Sequence, residues 1–154
     1  MPVSGVPTFQ PPFAGYAERT RDSFARQGAM SLIGAEIVDV QPGYCAIALT
    51  PRPELAQQHG YVHAGIVGAI VDSAGGYAGY TLFPEDSSVL TVEFKLNLLA
   101  PASGDRLIAE GFVIKPGRTL AITRGEVHAE QRGKRTLVAL MQQTLMVMRG
   151  KTDA

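Results

Sequence analysis

The sequence has no tryptophan and a single cysteine, Cys45, in 154 residues. One thiol cannot close an internal disulfide, so the fold must be held by packing, and a lone unpaired cysteine fits a reducing, cytoplasmic compartment. No basic neighbour in sequence would activate Cys45 as a nucleophile. Neither sign of charge is in excess: Lys+Arg and Asp+Glu are both 14 and the pI is about 6.8. That balance removes the electrostatic argument for nucleic acid or an anionic membrane surface as a partner. The N-terminus lacks a basic segment followed by a long apolar one, so no secretory leader is expected. Apolar runs are short as well, and the run over 64–71 falls far below the roughly 20 residues a membrane-spanning helix needs. No close-spaced His/Cys/Asp cluster suggests a metal, and no internal repeat, coiled-coil heptad or GxxxxGK phosphate cradle is present. The length suits one domain, expected over residues 13–150, acting on a small molecule or on another copy of itself. Residues 1–12 hold four of the ten prolines and are expected to be extended or disordered.

Most of the distinctive chemistry lies between Gln57 and Tyr80, QQHGYVHAGIVGAIVDSAGGYAGY. From about Gly65 the residues are apolar or tiny on nearly every side, which predicts a buried helix. Glycines at 65, 68, 75, 76 and 79 oppose helix formation by about 1 kcal/mol each, so packing must supply the difference. Small residues suit a helix gripped by a curved sheet or touching its own copy. One carboxylate, Asp72, stands in the middle. His63 and Asp72 are nine positions apart; at about 100° per residue they face opposite sides of a helix, about 13 Å apart along it. They cannot meet within one helix, and a site using both would be shared between two copies of the chain.

On either side the pattern is that of strands. Apolar spacing over 13–26, with Asp22 and Arg26 at (i, i+4), predicts an N-terminal amphipathic helix that caps the sheet. Strand-like runs over 31–40 and 44–50 are separated by Pro42-Gly43, as in a hairpin. A polar loop then leads to the helix start. Beyond the helix, 88–99 alternates cleanly, with Leu90, Val92, Phe94, Leu96 and Leu98 on one face and Thr91, Glu93, Lys95 and Asn97 on the other. Strands over 106–114, 119–130 and 136–148 follow, joined by short turns, and the four are expected to form an antiparallel meander. The class is α+β: an antiparallel six-stranded sheet around one long central helix.

HGYVHAGIVGAIVDSAGGYA followed by LTVEFKLNLLAPASGDRLIAEGFVIKPGRTLAITRGEVHAE resembles the hotdog-fold acyl-CoA thioesterases of the phenylacetate-pathway (PaaI-type) group, over residues 30–148. The resemblance implies the hotdog fold, a homodimer that assembles to a homotetramer, and a site at the dimer interface. It implies an acyl-CoA substrate, coenzyme A being part of the substrate and no cofactor or metal being needed. Asp72 matches the catalytic acid, acting as nucleophile or as base on water. His63 and the Ala64 amide match the helix-start pair that polarises the thioester carbonyl, with His63-Ala64-Gly65 standing where relatives have His-Gly-Gly. Thr91 matches the hydroxyl that contacts the acid or the water. Gln57 stands where many relatives have the Asn that positions the nucleophile or water.

Thioester hydrolysis needs an activated nucleophile and a positive dipole aimed at the carbonyl oxygen; Asp72 offers the first and the helix N-terminus the second. Gln58 and His59, in the loop before the helix, are candidates for substrate contacts. Lys115 and Arg118 on a turn would suit the phosphates of coenzyme A. Two alternatives use the same residue types: a hotdog hydratase or dehydratase acting on acyl thioesters, and a non-catalytic acyl-CoA-binding module.

Overall fold

A computed structural model describes residues 7–153. Helix α1 (Tyr16–Ala25) and the short α2 (Gly28–Ile33) precede strands β1 (Glu36–Gln41) and β2 (Tyr44–Leu49). A 3-10 turn at Pro53–Leu55 leads to helix α3 (Ala64–Tyr80), and strands β3 (Ser87–Leu98), β4 (Arg106–Lys115), β5 (Leu120–Gln131) and β6 (Lys134–Arg149) complete the chain. All six strands form one antiparallel sheet in the order β1-β2-β4-β5-β6-β3, with α3 packed across it against β2, β3, β4, β5 and β6. This is the α+β architecture expected of the sequence. The expectation for residues 1–6 lies outside the described residues; of residues 7–12, Phe9 packs against the core.

The burial of α3 follows from its composition. Its residues from Ser73 to Tyr80 are all buried, together with Val67, Gly68, Ile70 and Val71. A Cβ at Gly111 in β4 would collide with the main chain of Ala74 and Gly75, so glycine at that strand position lets the helix backbone lie directly on the sheet. The helix's far end is held by α1. Arg19 donates to the carbonyls of Pro84 at 2.6 Å and Phe83 at 3.2 Å, and its guanidinium stacks 3.9 Å from the Tyr80 ring.

Several sequence expectations are corrected. Residues 31–33 belong to α2 and not to the first strand, because Gly34 adopts φ 77° and ends a helical turn there. The first helix begins at Tyr16, not at 13. Arg26 pairs with Asp153 at 2.7 Å, and not with Asp22. The last four strands are not a simple meander: β4, β5 and β6 are, but β3 lies at the opposite edge beside β6, leaving β2 next to β4. Strand β3 also carries a bulge. Thr91 pairs with Leu145 and Glu93 with Thr144, leaving Val92 unpaired. Paired residues share a face, so Val89 and Thr91 before the bulge join Phe94, Leu96 and Leu98 after it on the helix side.

Candidate active site

His63 is the N-cap of α3, and its Nδ1 accepts the Gly65 N–H at 2.8 Å. Nδ1 is therefore unprotonated, and in the neutral ring the proton sits on Nε2, pointing away from the helix as a donor. The next residue differs: among the described residues, the Ala64 N–H has no hydrogen-bond partner. The helix start thus offers one free backbone donor, at Ala64, and one ring donor, at His63, where the helix dipole is positive. Gly65 was also expected to serve the chemistry; its amide is instead occupied by the His63 ring. Ala64 sits in regular helix with negative φ, since Arg132 is the only non-glycine with positive φ among the described residues. Replacing the usual glycine by Ala64 therefore adds no backbone strain.

Beside this helix start lies a mostly apolar cleft of about 420 Å³ lined by Gln57, Tyr61, His63, Ala64, Leu98 and Ala102, among others. Gln57 belongs to the cleft, but its side-chain oxygen accepts the His59 N–H and closes the 57–60 turn. Its side-chain oxygen is thus committed to that turn. Gln58 and His59 are exposed and line none of this cleft.

Asp72 is half-buried and faces the sheet, away from His63. Its Oδ1 accepts from Thr91 Oγ1 at 2.7 Å and from Gln143 Nε2 at 2.5 Å. Gln143 Nε2 also lies 3.1 Å from the Asp72 carbonyl oxygen and 3.2 Å from Thr91 Oγ1. The Gln143 side-chain oxygen in turn accepts from Thr123 Oγ1 at 2.7 Å. Gln143 and Thr123, 1% and 0% exposed, were missed from sequence. The available signal was the Gln142-Gln143 pair interrupting an otherwise apolar strand: one of two successive strand residues must point inward, and a buried amide needs partners.

Lys115, expected on a turn, is the last residue of β4, opposite Ile122, and Arg118 lies in the turn before β5. Both are exposed, next to Leu120, which lies in one cross-strand row with Met146 and Leu90. That is the end of the sheet where β3 begins, whereas His63 and its cleft lie at the Leu98 end. The two ends are about 30 Å apart at some 3.3 Å per strand residue. Within one chain, Asp72 and Thr91 come together, His63 and Ala64 come together, and the two groups stay apart.

Comparisons with known proteins bear on the family and the fold. Residues 59–136 match the family model described as Thioesterase superfamily, a span that includes α3, β3, β4 and β5. A solved thioesterase family protein from Silicibacter pomeroyi is 46% identical, with a TM-score of 0.87 over 88% of this chain and all of that one. The PaaI protein of E. coli, from the phenylacetic acid degradation operon, shares the fold at 18% identity, with a TM-score of 0.79 over 88% of this chain and 95% of that one. A provisionally named esterase of Halobacterium salinarum is 30% identical over 100 residues, 62% of this chain and 66% of the relative. A second, from Saccharolobus solfataricus, is 33% identical over 60% of this chain and 61% of its own. The chain thus spans a little under two thirds of the length of these two curated relatives. The matched span carries the helix start, the buried helix and the strand that contacts Asp72, and on that ground the chain belongs to the thioesterase superfamily and has its hotdog fold.

Proposed function

We propose that the protein hydrolyses acyl-CoA thioesters at a site built by two copies of the chain. The observation that carries this reading is the division of the chemistry. A carboxylate anchored by Thr91 and Gln143 stands beside the middle of β3, and a helix start with free donors beside an apolar cleft stands at its Leu98 end.

Two further features support a second copy. Strand β3 is an edge strand of 12 residues with Leu90, Val92, Phe94 and Leu98 exposed, an edge that in isolation invites strand pairing. The uncovered positions of α3 (Ala64, Gly65, Ile66, Ala69 and Asp72) fall along the side of the helix next to that edge. Antiparallel pairing of two β3 strands about a two-fold axis near Phe94 sets the Leu98 end of one copy against the Thr91 end of the other. Each His63 cleft then meets the other copy's Asp72.

In that composite site the thioester carbonyl lies against the Ala64 N–H and the His63 Nε2–H, which hold the oxyanion as it forms. By one route Asp72 takes a proton from a water that adds to the carbonyl carbon, and the proton passes to the sulfur as the C–S bond breaks, giving free acid and coenzyme A thiol. By the other Asp72 itself adds to the carbon and expels the thiolate, and water then hydrolyses the resulting mixed anhydride, supplying the proton to the thiolate and regenerating the carboxylate. Lys115 and Arg118, at the Asp72 end of the sheet, form a cationic rim that the phosphates of coenzyme A would meet on leaving the cleft. The dimer is the working unit of this reading.

The test is release of free thiol from acetyl-, hexanoyl-, palmitoyl-, benzoyl- and phenylacetyl-CoA by the wild type and by Asp72→Asn. Turnover of at least one thioester by the wild type, with loss of orders of magnitude in kcat by a folded variant, is expected. No turnover, or an equally active Asp72→Asn, would overturn the reading.

A further inference from the structure

A buried pair behind Asp72 decides how its carboxylate is presented. Gln143 sits on β6 opposite Thr123 on β5, both facing α3. The polar atoms around the Gln143 amide fix which way it points. On one side are three acceptors, the Asp72 Oδ1, the Asp72 carbonyl oxygen and Thr91 Oγ1. A carboxylate and a carbonyl can only accept, so the NH2 group must face them. The amide oxygen is thereby turned to Thr123, whose hydroxyl must donate to it, at 2.7 Å. Donation runs one way, from the Thr123 hydroxyl to the Gln143 oxygen and from the Gln143 NH2 to Asp72, with the Thr91 hydroxyl joining at the same carboxylate oxygen.

Local packing is built around this pair. A Cβ at Gly75 would collide with the Gln143 oxygen and the Met141 methyl, and would lie 3.0 Å from Thr123 Oγ1. Glycine three residues after Asp72 therefore lets the amide press against the helix backbone, which is how its NH2 reaches the Asp72 carbonyl as well as the side chain. The consequence falls on the carboxylate. Oδ1 is taken by two donors, while among the described residues Oδ2 accepts no hydrogen bond.

We propose that Thr123 is a positioning residue for Asp72: by fixing the orientation of the Gln143 amide it commits Oδ1 and leaves Oδ2 as the oxygen that meets the substrate or the attacking water. This rests on the hydrolytic reading given above. Thr123 touches neither the substrate nor Asp72, and it acts only through Gln143. Without its hydroxyl the amide oxygen is left unpaired in the core, where an unmade hydrogen bond is costly. The side chain then gains by rotating, and either lets go of Asp72 or presents its oxygen to the carboxylate.

The test is Thr123→Val, which keeps the side chain's shape, beside Thr123→Ser, which restores the donor. With whichever of the five acyl-CoAs the wild type turns over fastest, Thr123→Val should lower kcat about tenfold at nearly unchanged KM, and Thr123→Ser should recover most of it. A second readout needs no turnover. The Gln143 side-chain NH2 protons, identified in a ¹H–¹⁵N spectrum by their loss in Gln143→Met, should move and exchange faster with water in Thr123→Val and return in Thr123→Ser. Should Thr123→Val fail to fold, Thr123→Ala takes its place with the same two readouts. An unmoved amide pair, or a kcat within twofold of the wild type, overturns the proposal. Failure of the hydrolytic reading shows separately, as an active Asp72→Asn, and leaves the amide measurement valid.

Discussion

Thr91 Oγ1 donates to Asp72 Oδ1 at 2.7 Å because Val92 has no partner across the sheet. Strict alternation along β3 places Thr91 with Glu93, Lys95 and Asn97 on the face away from the helix. The unpaired Val92 reverses the parity and turns Thr91 inward while leaving Leu96 and Leu98 on the core side. A bulge next to a carboxylate thus re-aims one hydroxyl at it. Thr91→Val, which removes the hydroxyl and keeps the shape, should reduce kcat about tenfold with a small change in KM, and Thr91→Ser should restore it. Steady-state kinetics on the fastest acyl-CoA decides this; a Thr91→Val enzyme with wild-type kcat would show that the bond to Asp72 is structural only.

His63 has two separable duties, capping α3 through Nδ1 and donating from Nε2. His63→Ala removes both and should cost about 1 kcal/mol of stability together with most of the activity. His63→Asn supplies a good cap oxygen but places no donor where Nε2–H stood. It should stay within about 0.5 kcal/mol of wild-type stability and remain poorly active. Urea denaturation and thiol release together check the pair; an active His63→Asn would leave the oxyanion to the Ala64 amide alone.

Much of this arrangement could be read from the residues. The run of small and apolar residues after His63 marked the buried helix, and the lone Asp72 within it marked the candidate site. What escaped depended on contacts between distant segments. The position of β3 beside β6 is set by pairing across some fifty residues, which no local pattern records. Gln143 was hidden because its strand reads as apolar on both faces, so one inward amide looked like noise. The helical turn at 28–33 was lost because Ser31, Leu32 and Ile33 continue smoothly into β1, and only the left-handed Gly34 separates them.

Two neighbouring glycines of α3 should respond in opposite ways. A Cβ at Gly75 meets Gln143, Met141 and Thr123, whereas a Cβ at Gly76 meets nothing within 4 Å. Gly75→Ala should therefore destabilise by roughly 1–3 kcal/mol through overpacking and lose activity with the displaced amide. Gly76→Ala should gain up to about 1 kcal/mol of helix propensity. Urea melts of both variants test this, and equal destabilisation would mean that the space beside Gly76 is filled by the second copy.

Cys45 is fully buried in β2, and that burial pushes its thiol up to about 12. At pH 8 the native protein should give no reaction with Ellman's reagent over the course of an assay, and one thiol per chain after unfolding in guanidinium. The thiol-release assay then reads coenzyme A alone. Rapid labelling of the native chain would instead reveal that β2 opens on the timescale of the assay.

Sharing the site between two chains makes a prediction that a site within one chain does not. Asp72→Asn spoils the carboxylate half and His63→Ala the helix-start half, so each homodimer should be nearly inactive. In a mixed dimer one site carries both lesions and the other carries neither. Unfolding the two variants together in equal amounts and refolding them gives mixed dimers as half of the population, each with one intact site out of two, and activity should return to about one quarter of the wild type. Mixing the folded proteins without exchange should return almost nothing. If the co-refolded sample stays at the average of the two variants while sedimentation shows mixed dimers, Asp72 and His63 act within one chain, and α3 would have to bend to bring them together.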